Sequence, residues 1–419
     1  MKLEWKYGRS IVHFDVPDRN VASILQPRDL EPVLNEGQAI AEAIQKPIGG
    51  EDMSKIVNSE SDVAIIVSDI TRPCPSYKVV PLLTKKLGEC GVQKSNITIL
   101  FATGMHRGHS KEEQTILVGQ ETAGSFGLVD HDCHNADNLV ELGKTKRGTP
   151  ISVNRLAVDA DVKIGVANLD VHYFAGYSGG AKSVVPGVAG YETIRRNHSL
   201  MLQPGAEAGK VKDNPVREDL EEAVEMAGLD FIVNLVLNDN KNIVRVVAGD
   251  YVEAQRSGIA PNDYMYKAAI PERADIVIAT AGGYPKDINL YQAQKGLENA
   301  GHAVRQDGTI ILFADCSEGL GDKTFESWLM ESDSPESVMM RLKEDFMLGG
   351  HKAFAIAKLA KRAHIVLVSN LPSDLVRKAF MTPASSAKNA LTQAFEREGR
   401  DARVILMPYA GSTLPHSEK

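Results

Sequence analysis

The residues of this sequence that could do chemistry gather in a few short segments. One reads Ser68-Asp69-Ile70-Thr71-Arg72-Pro73-Cys74-Pro75, a carboxylate and a guanidinium beside two prolines. A second reads Thr103-Gly104-Met105-His106-Arg107-Gly108-His109. The third runs from Asn168 to Gly190 and contains His172-Tyr173-Phe174-Ala175-Gly176-Tyr177-Ser178-Gly179-Gly180-Ala181-Lys182-Ser183. An imidazole titrates near pH ~6.5, so His106, His172 and the nearby His198 suit proton transfer at neutral pH, or metal ligation. Lys182, displayed among small residues, suits a nucleophilic or covalently attached amine. An exposed lysine in a mobile loop would read the same way. Gly176-x-x-x-x-Ala181-Lys182-Ser183 falls one residue short of a phosphate-cradling loop. Pro186 and Gly187 stand where the following helix should run, so it is not read as a triphosphate site. His131 and His134 form an H-x-x-H without helical context, which reads as a solvated polar turn. A helix start before His198 would turn that imidazole back toward Lys182. Further on, Gln292 and Lys295 in Tyr291-Gln292-Ala293-Gln294-Lys295 share one helix face. Together they make a sensible grip for a carboxylate, although an ordinary polar face has the same pattern.

These segments need strands and helices to hold them. Short β-branched runs occur at Val63–Val67, Ile97–Ala102, Val162–Ala167, Phe231–Val236, Ile276–Ala279, Thr309–Phe313, His364–Val368 and Arg403–Met407. Helical patterns alternate with them, near Gly37–Lys46, Tyr77–Cys90, Arg217–Ala227, Tyr251–Ser257, Asn289–Ala300, Phe325–Met330, Lys352–Arg362 and Ser386–Glu398. Such alternation predicts an α/β protein with mainly parallel sheets flanked by helices. A Pro-containing stretch near residues 258–273 suggests a boundary. It divides an N-terminal domain at 1–265 from a C-terminal domain at 266–419, whose final helix and strand have the option of packing back on the first domain. Ligands of open α/β sheets bind beyond the carboxyl ends of the strands, and the three segments above all follow strands. The active site is therefore expected at those loops, in a cleft between the domains.

At 419 residues the chain is long enough for about 2 to 3 domains. With 43% hydrophobic and 24% charged residues it is an ordinary globular mix. The net charge of −8 argues against nucleic acid or an anionic membrane surface as partner. The start MKLEWKYGRSIVHFDVPD lacks an apolar signal core, and no run approaches the ~18 apolar residues of a membrane span. Cys74, Cys90, Cys133 and Cys316 lie far apart with no C-x-x-C pair, which predicts a reducing cytoplasm.

Taken together, Asp69-Ile70-Thr71-Arg72-Pro73, Thr103-Gly104-Met105-His106-Arg107, the His172–Ser183 block, His198 and Tyr291-Gln292-x-x-Lys295 resemble the nickel-dependent lactate racemase family over nearly the whole chain. The resemblance implies a two-domain α/β racemase or epimerase of 2-hydroxy acids. It implies a nickel pincer nucleotide, a pyridinium-3,5-bisthiocarboxylic acid mononucleotide that binds nickel through sulfur and carbon. By the family's motif, Lys182 is the covalent attachment and His198 the nickel ligand. Asp69, Ile70, Thr71 and Arg72 lie against the cofactor, with Arg72 also near the substrate. His106 and His172 are the two acid/base groups, and Tyr291, Gln292 and Lys295 bind substrate. Partners would be a small 2-hydroxy acid and the proteins that make and insert the cofactor, with the chain a monomer or weak homo-oligomer. One departure is the segment Gly349–Phe354, which lacks the tryptophan found thereabouts in the lactate enzyme; the only tryptophans are Trp5 and Trp328. Phe354 is the candidate substitute, and larger or dicarboxylic 2-hydroxy acids come into range.

Two other classes compete. An NAD-dependent hydroxy acid dehydrogenase predicts G-x-G-x-x-G directly after a strand, which is absent, and an NAD-independent oxidoreductase would need only one base. A non-catalytic α/β ligand-binding protein leaves two histidines and a lysine at strand ends unexplained.

Overall fold

The computed structural model describes residues 1–344, 346–347 and 349–417. The chain divides into two compact units, Asp29–Met265 and a second made of Met1–Arg28 with Tyr266–Lys419.

In the first unit a six-stranded sheet has the order Ile243–Gly249, Phe231–Leu237, Val162–Leu169, Val63–Ser68, Ile97–Ala102, Gly127–Asp130. All neighbours are parallel except the first pair. Every residue of the Val162–Leu169 and Phe231–Leu237 strands is buried, as expected of strands covered on both faces. The helix Ser76–Glu89 lays Val79, Val80, Leu83 and Leu87 against this core, a stripe at helical spacing. Each such side chain contributes about 1.5–3 kcal/mol on leaving water. The sheet also fixes where a ligand can go. From Val63–Ser68 the chain steps outward to Ile97–Ala102 and Gly127–Asp130. It then returns to pair Val162–Leu169 on the other side of the first strand. That reversal of winding opens a crevice at the carboxyl ends of the two central strands.

In the second unit a wholly parallel sheet has the order Thr382–Ala384, His364–Val368, Val304–Phe313, Ala274–Thr280, Val404–Met407, Val21–Ile24. Residues 1–28, expected with the N-terminal domain, therefore belong with the C-terminal unit: Val21–Ile24 pairs with Val404–Met407. The hairpin of Lys2–Tyr7 and Ser10–Asp15 adds Trp5 and Phe14 to the same core, with ring centroids 4.9 Å apart and Phe14 5.0 Å from Phe313. The final strand, Leu414–Ser417, pairs with Lys267–Ile270 of this same unit. The stretch read as a boundary contains the change of unit, between Met265 and Tyr266; it is a helix, Ile259–Tyr266, followed by that strand, and its prolines lie in the first turn and beyond the strand, where they break no ladder. No helix among the described residues is long and apolar enough to cross a membrane.

Candidate active site

Three loops of the first unit carry the candidate groups, and backbone bonds join them. Gly104 N donates to Gly187 O at 2.9 Å, tying the loop after Ile97–Ala102 to the one after Val162–Leu169. Asp69 is 2% exposed at the end of the Val63–Ser68 strand. Its carboxylate accepts from Thr71 Oγ1 at 2.7 Å and Thr71 N at 3.1 Å, with Arg72 Nε at 3.9 Å. Its other oxygen meets His106 Nδ1 in a short hydrogen bond. Burial pushes the Asp69 carboxyl upward, but the bonds from His106 and Thr71 and the charge of Arg72 outweigh it and hold it below the usual carboxylate range. A carboxylate only accepts, so the Nδ1 of His106 carries a proton and its Nε2 is left with the lone pair. Arg72 itself is exposed.

His172 and Lys182 lie on the third loop. The Lys182 Nζ is 3.3 Å from His172 Nε2, and Ala175 N donates to His172 Nδ1 at 3.3 Å. Nδ1 of His172 is thus an acceptor, which puts the proton of the neutral ring on Nε2, opposite to His106. Burial is the largest cause that pushes His172 well below its ordinary value, helped by Lys182, Arg72, His198 and Arg217. Lys182 is likewise pushed well below the ordinary lysine range, by burial and then by Arg217 and Arg72. With its amine against His172 and the Phe174 ring, it is a half-buried lysine on the 3-10 turn Gly180–Ser183 rather than an exposed one. The glycines make that turn possible. Gly176 has φ +75° and a Cβ there would sit 2.1 Å from Lys210 O; Gly180 has φ +56° and a Cβ there would meet Tyr251 O at 2.6 Å.

His198 stands in the last turn of the helix Tyr191–Ser199, which starts before it as expected. Its ring is 5.1 Å from that of Phe174, and Lys182 Nζ is 5.7 Å from the same Phe174 ring. The expected pair therefore flanks one buried aromatic. Sequence reading passed over the residues that hold this loop. Asn214 caps the helix Pro215–Ala227 and donates to Phe174 O at 2.9 Å and Lys210 O at 3.0 Å. Arg217, 1% exposed, donates to Ala175 O at 3.1 Å and to Tyr177 O. The only signal was an Asn-Pro helix start, which says nothing of what lies beside it.

His131 is no solvated turn residue. It is 2% exposed, with Nε2 2.8 Å from Ala189 O and Nδ1 accepting from Asn154 at 3.1 Å. The His134 ring instead lies 4.8 Å from that of Tyr191, tilted by 31°, and no group of acidic, His and Cys side chains able to hold a metal occurs among the described residues. Ile70 gives its backbone N–H to His109. In the second unit, Tyr291, Gln292 and Lys295 occupy the first turns of the helix Leu290–Ala303, with Gln292 and Lys295 exposed. Lys352 donates to Tyr291 O at 2.7 Å and lies 3.9 Å from the Tyr291 ring. Phe354 is buried at 5% exposure in the helix Gly350–Ala360.

Comparison with known proteins gives the family. Residues 7–209 match the lactate racemase N-terminal domain, and residues 270–414 match the lactate racemase C-terminal domain. The lactate racemase of Thermoanaerobacterium thermosaccharolyticum is 31% identical over 423 residues, covering 98% of each chain. That of Lactiplantibacillus plantarum is 32% identical over 419 residues, covering 97% of each. The structure of the Thermoanaerobacterium apoprotein superposes with a TM-score of 0.91 over 99% of this chain and 100% of that one, at 31% identity. A Thermotoga maritima protein shares the fold at a TM-score of 0.67 and 18% identity, over 93% of this chain and 100% of that one. With matches of that extent on both halves, the chain belongs to the lactate racemase family and is an enzyme of the isomerase class.

Proposed function

We propose that the protein interconverts the enantiomers of a 2-hydroxy acid, lactate being the first to test because its relatives carry that name. The observation that supports this best is a pair of imidazoles on loops of different strands: His106 bonded to Asp69, and His172 between Ala175 N–H and Lys182. The α C–H of such an acid is too weakly acidic to leave as a proton. It can leave as hydride when the hydroxyl is deprotonated at the same time. His106 takes that hydroxyl proton on Nε2, and Asp69 stabilises the imidazolium that forms. His172 serves the opposite enantiomer from the other loop, and Arg72 steadies the substrate's negative charge. Tyr291, Gln292 and Lys295 bind the substrate carboxylate, the last two by charge-assisted hydrogen bonding.

The residues fit a nickel pincer nucleotide. The Lys182 amine and the His198 imidazole both lie against Phe174, and the charges of Arg217 and Arg72 act on Lys182, which suits an anionic nucleotide. Lys182 would be the tether and His198 the nickel ligand, with Asp69, Ile70, Thr71 and Arg72 holding the nucleotide. When bound, the group supplies an acceptor for hydride. The reading brings with it partner proteins that make and insert the cofactor, and a reducing cytoplasm, which four free thiols suit.

The test is protein produced together with the cofactor-making proteins, given each enantiomer of lactate and of larger and dicarboxylic 2-hydroxy acids, with products resolved by chiral chromatography. Approach to the racemate from both sides, without net keto acid, is expected. Net oxidation that depends on NAD would sink the proposal.

A further inference from the structure

A second histidine–carboxylate pair stands behind His106 and has no part in the reaction above. His109 follows on the same loop, and its side chain is 1% exposed. Its Nδ1 is 2.5 Å from Asp130 Oδ1, at the end of the Gly127–Asp130 strand. Its Nε2 is 3.1 Å from the backbone nitrogen of Ile70. The carboxylate can only accept, so Nδ1 carries the proton. The Ile70 N–H can only donate, so Nε2 keeps its lone pair. Both ring nitrogens are thus engaged, and the ring has no proton to exchange with a substrate. Asp130 is held in turn: its Oδ2 accepts from His109 N at 2.9 Å and from Gln114 Nε2 at 3.1 Å. The Phe101 ring packs on the imidazole with centroids 5.2 Å apart. What this buried ring grips is the peptide joining Asp69 to Ile70.

We infer that His109 is a positioning residue for His106. It fixes the turn that aims the Asp69 carboxylate, so that the loop after Ile97–Ala102 clamps the loop after Val63–Ser68 at two points, His106 on Asp69 and His109 on Ile70 N–H. Without the second point the Asp69 turn can rotate away, and His106 loses both its tautomer and its direction. The inference rests on His106 being an acid/base group in the proposed reaction.

Two measurements test it. The first needs no activity: nitrogen NMR of imidazole-labelled protein should show His109 as the neutral Nδ1–H tautomer, and the Nε2–H tautomer would overturn the assignment. The second compares variants of the loaded enzyme. His109→Leu removes the acceptor for Ile70, and a small misplacement of a reacting group costs on the order of 10²-fold. That loss should fall on kcat with KM and covalent cofactor mass unchanged, and His109→Gln, which keeps an acceptor of similar reach, should recover most of it. If the leucine variant does not fold, Asp130→Ala serves in its place: it removes the acceptor that holds the proton on Nδ1, so the ring is no longer fixed with its lone pair toward Ile70 N–H. Native kcat in these variants, or a parallel fall of kcat, loading and melting temperature with no rescue by glutamine, defeats the inference. Racemisation that survives His106→Ala would instead defeat the acid/base reading, while the NMR result on His109 would stand.

Discussion

At the scale of single residues, two imidazoles and one amine carry the proposal. Replacing either His106 or His172 by alanine should slow racemisation in both directions by about 10²–10⁴-fold, because each turnover needs one group to take a proton and another to return it. Single-turnover spectroscopy with each enantiomer checks this, and a variant that racemises normally would leave a one-base enzyme. Lys182 has a cost as well as a use. Its amine is held well below the ordinary lysine range by burial, Arg217 and Arg72. The unfolded chain then binds a proton that the folded chain does not, so this group destabilises the apo protein at low and neutral pH. The penalty shrinks as pH rises and vanishes above the unfolded lysine pKa of about 10.4. Lys182→Met should therefore raise the melting temperature of the apo protein at pH 7, with the gain lost at high pH. The same variant should lack any covalent cofactor mass. A methionine variant that melts lower at pH 7, or still carries the added mass, contradicts the assignment.

At the scale of elements, the site depends on how one helix start meets one loop. Asn214 accepts from Val216 N and Arg217 N at 3.1 Å each, while its amide holds the carbonyls of Phe174 and Lys210. A lost cap costs ~1 kcal/mol, and buried carbonyls left unpaired add about 1–3 kcal/mol. Asn214→Ala should lower the unfolding free energy by roughly that sum, read by urea denaturation, and should loosen the Phe174 backbone enough to reduce cofactor loading. A neutral effect on both would show that the loop stands without it. The elements themselves were largely legible. Ile97–Ala102 and His364–Val368 match their predicted runs end to end, because a strand covered on both faces is apolar over most of its length. The Gly127–Asp130 and Val21–Ile24 strands were not legible: both are short edge strands with partly exposed residues, so no apolar run marks them.

At the scale of the whole molecule, the proposed reaction draws on both units. The residues proposed as acid/base groups and tether all lie within Asp29–Met265, and the Tyr291–Lys295 helix lies in the other unit. Gln292→Ala and Lys295→Ala should therefore raise KM for the hydroxy acid by roughly 10- to 150-fold, the loss of a charge-assisted bond worth about 1.5–3 kcal/mol. Nickel content measured on the same samples should stay at the native level; a fall in step with activity would remove these residues from the substrate's side.

The sequence by itself determined the class of fold and the chemical groups. Alternating apolar runs and helical stripes specify a parallel α/β architecture, since strands buried on both faces and helices with one apolar stripe have few other ways to leave water. The types and order of His106, His172, Lys182 and His198 likewise specify the family. Pairings between distant residues were beyond it, because they depend on which strands become neighbours. The return of Val162–Leu169 beside Val63–Ser68 brings His172 and Lys182 to the same crevice as Asp69. The edge pairing of Val21–Ile24 with Val404–Met407 assigns the first 28 residues to the far end of the chain. Burial decided the rest: a lysine reads as an ordinary surface amine in any sequence, and only the walls around Lys182, with the charges of Arg217 and Arg72, hold it well below the usual lysine range.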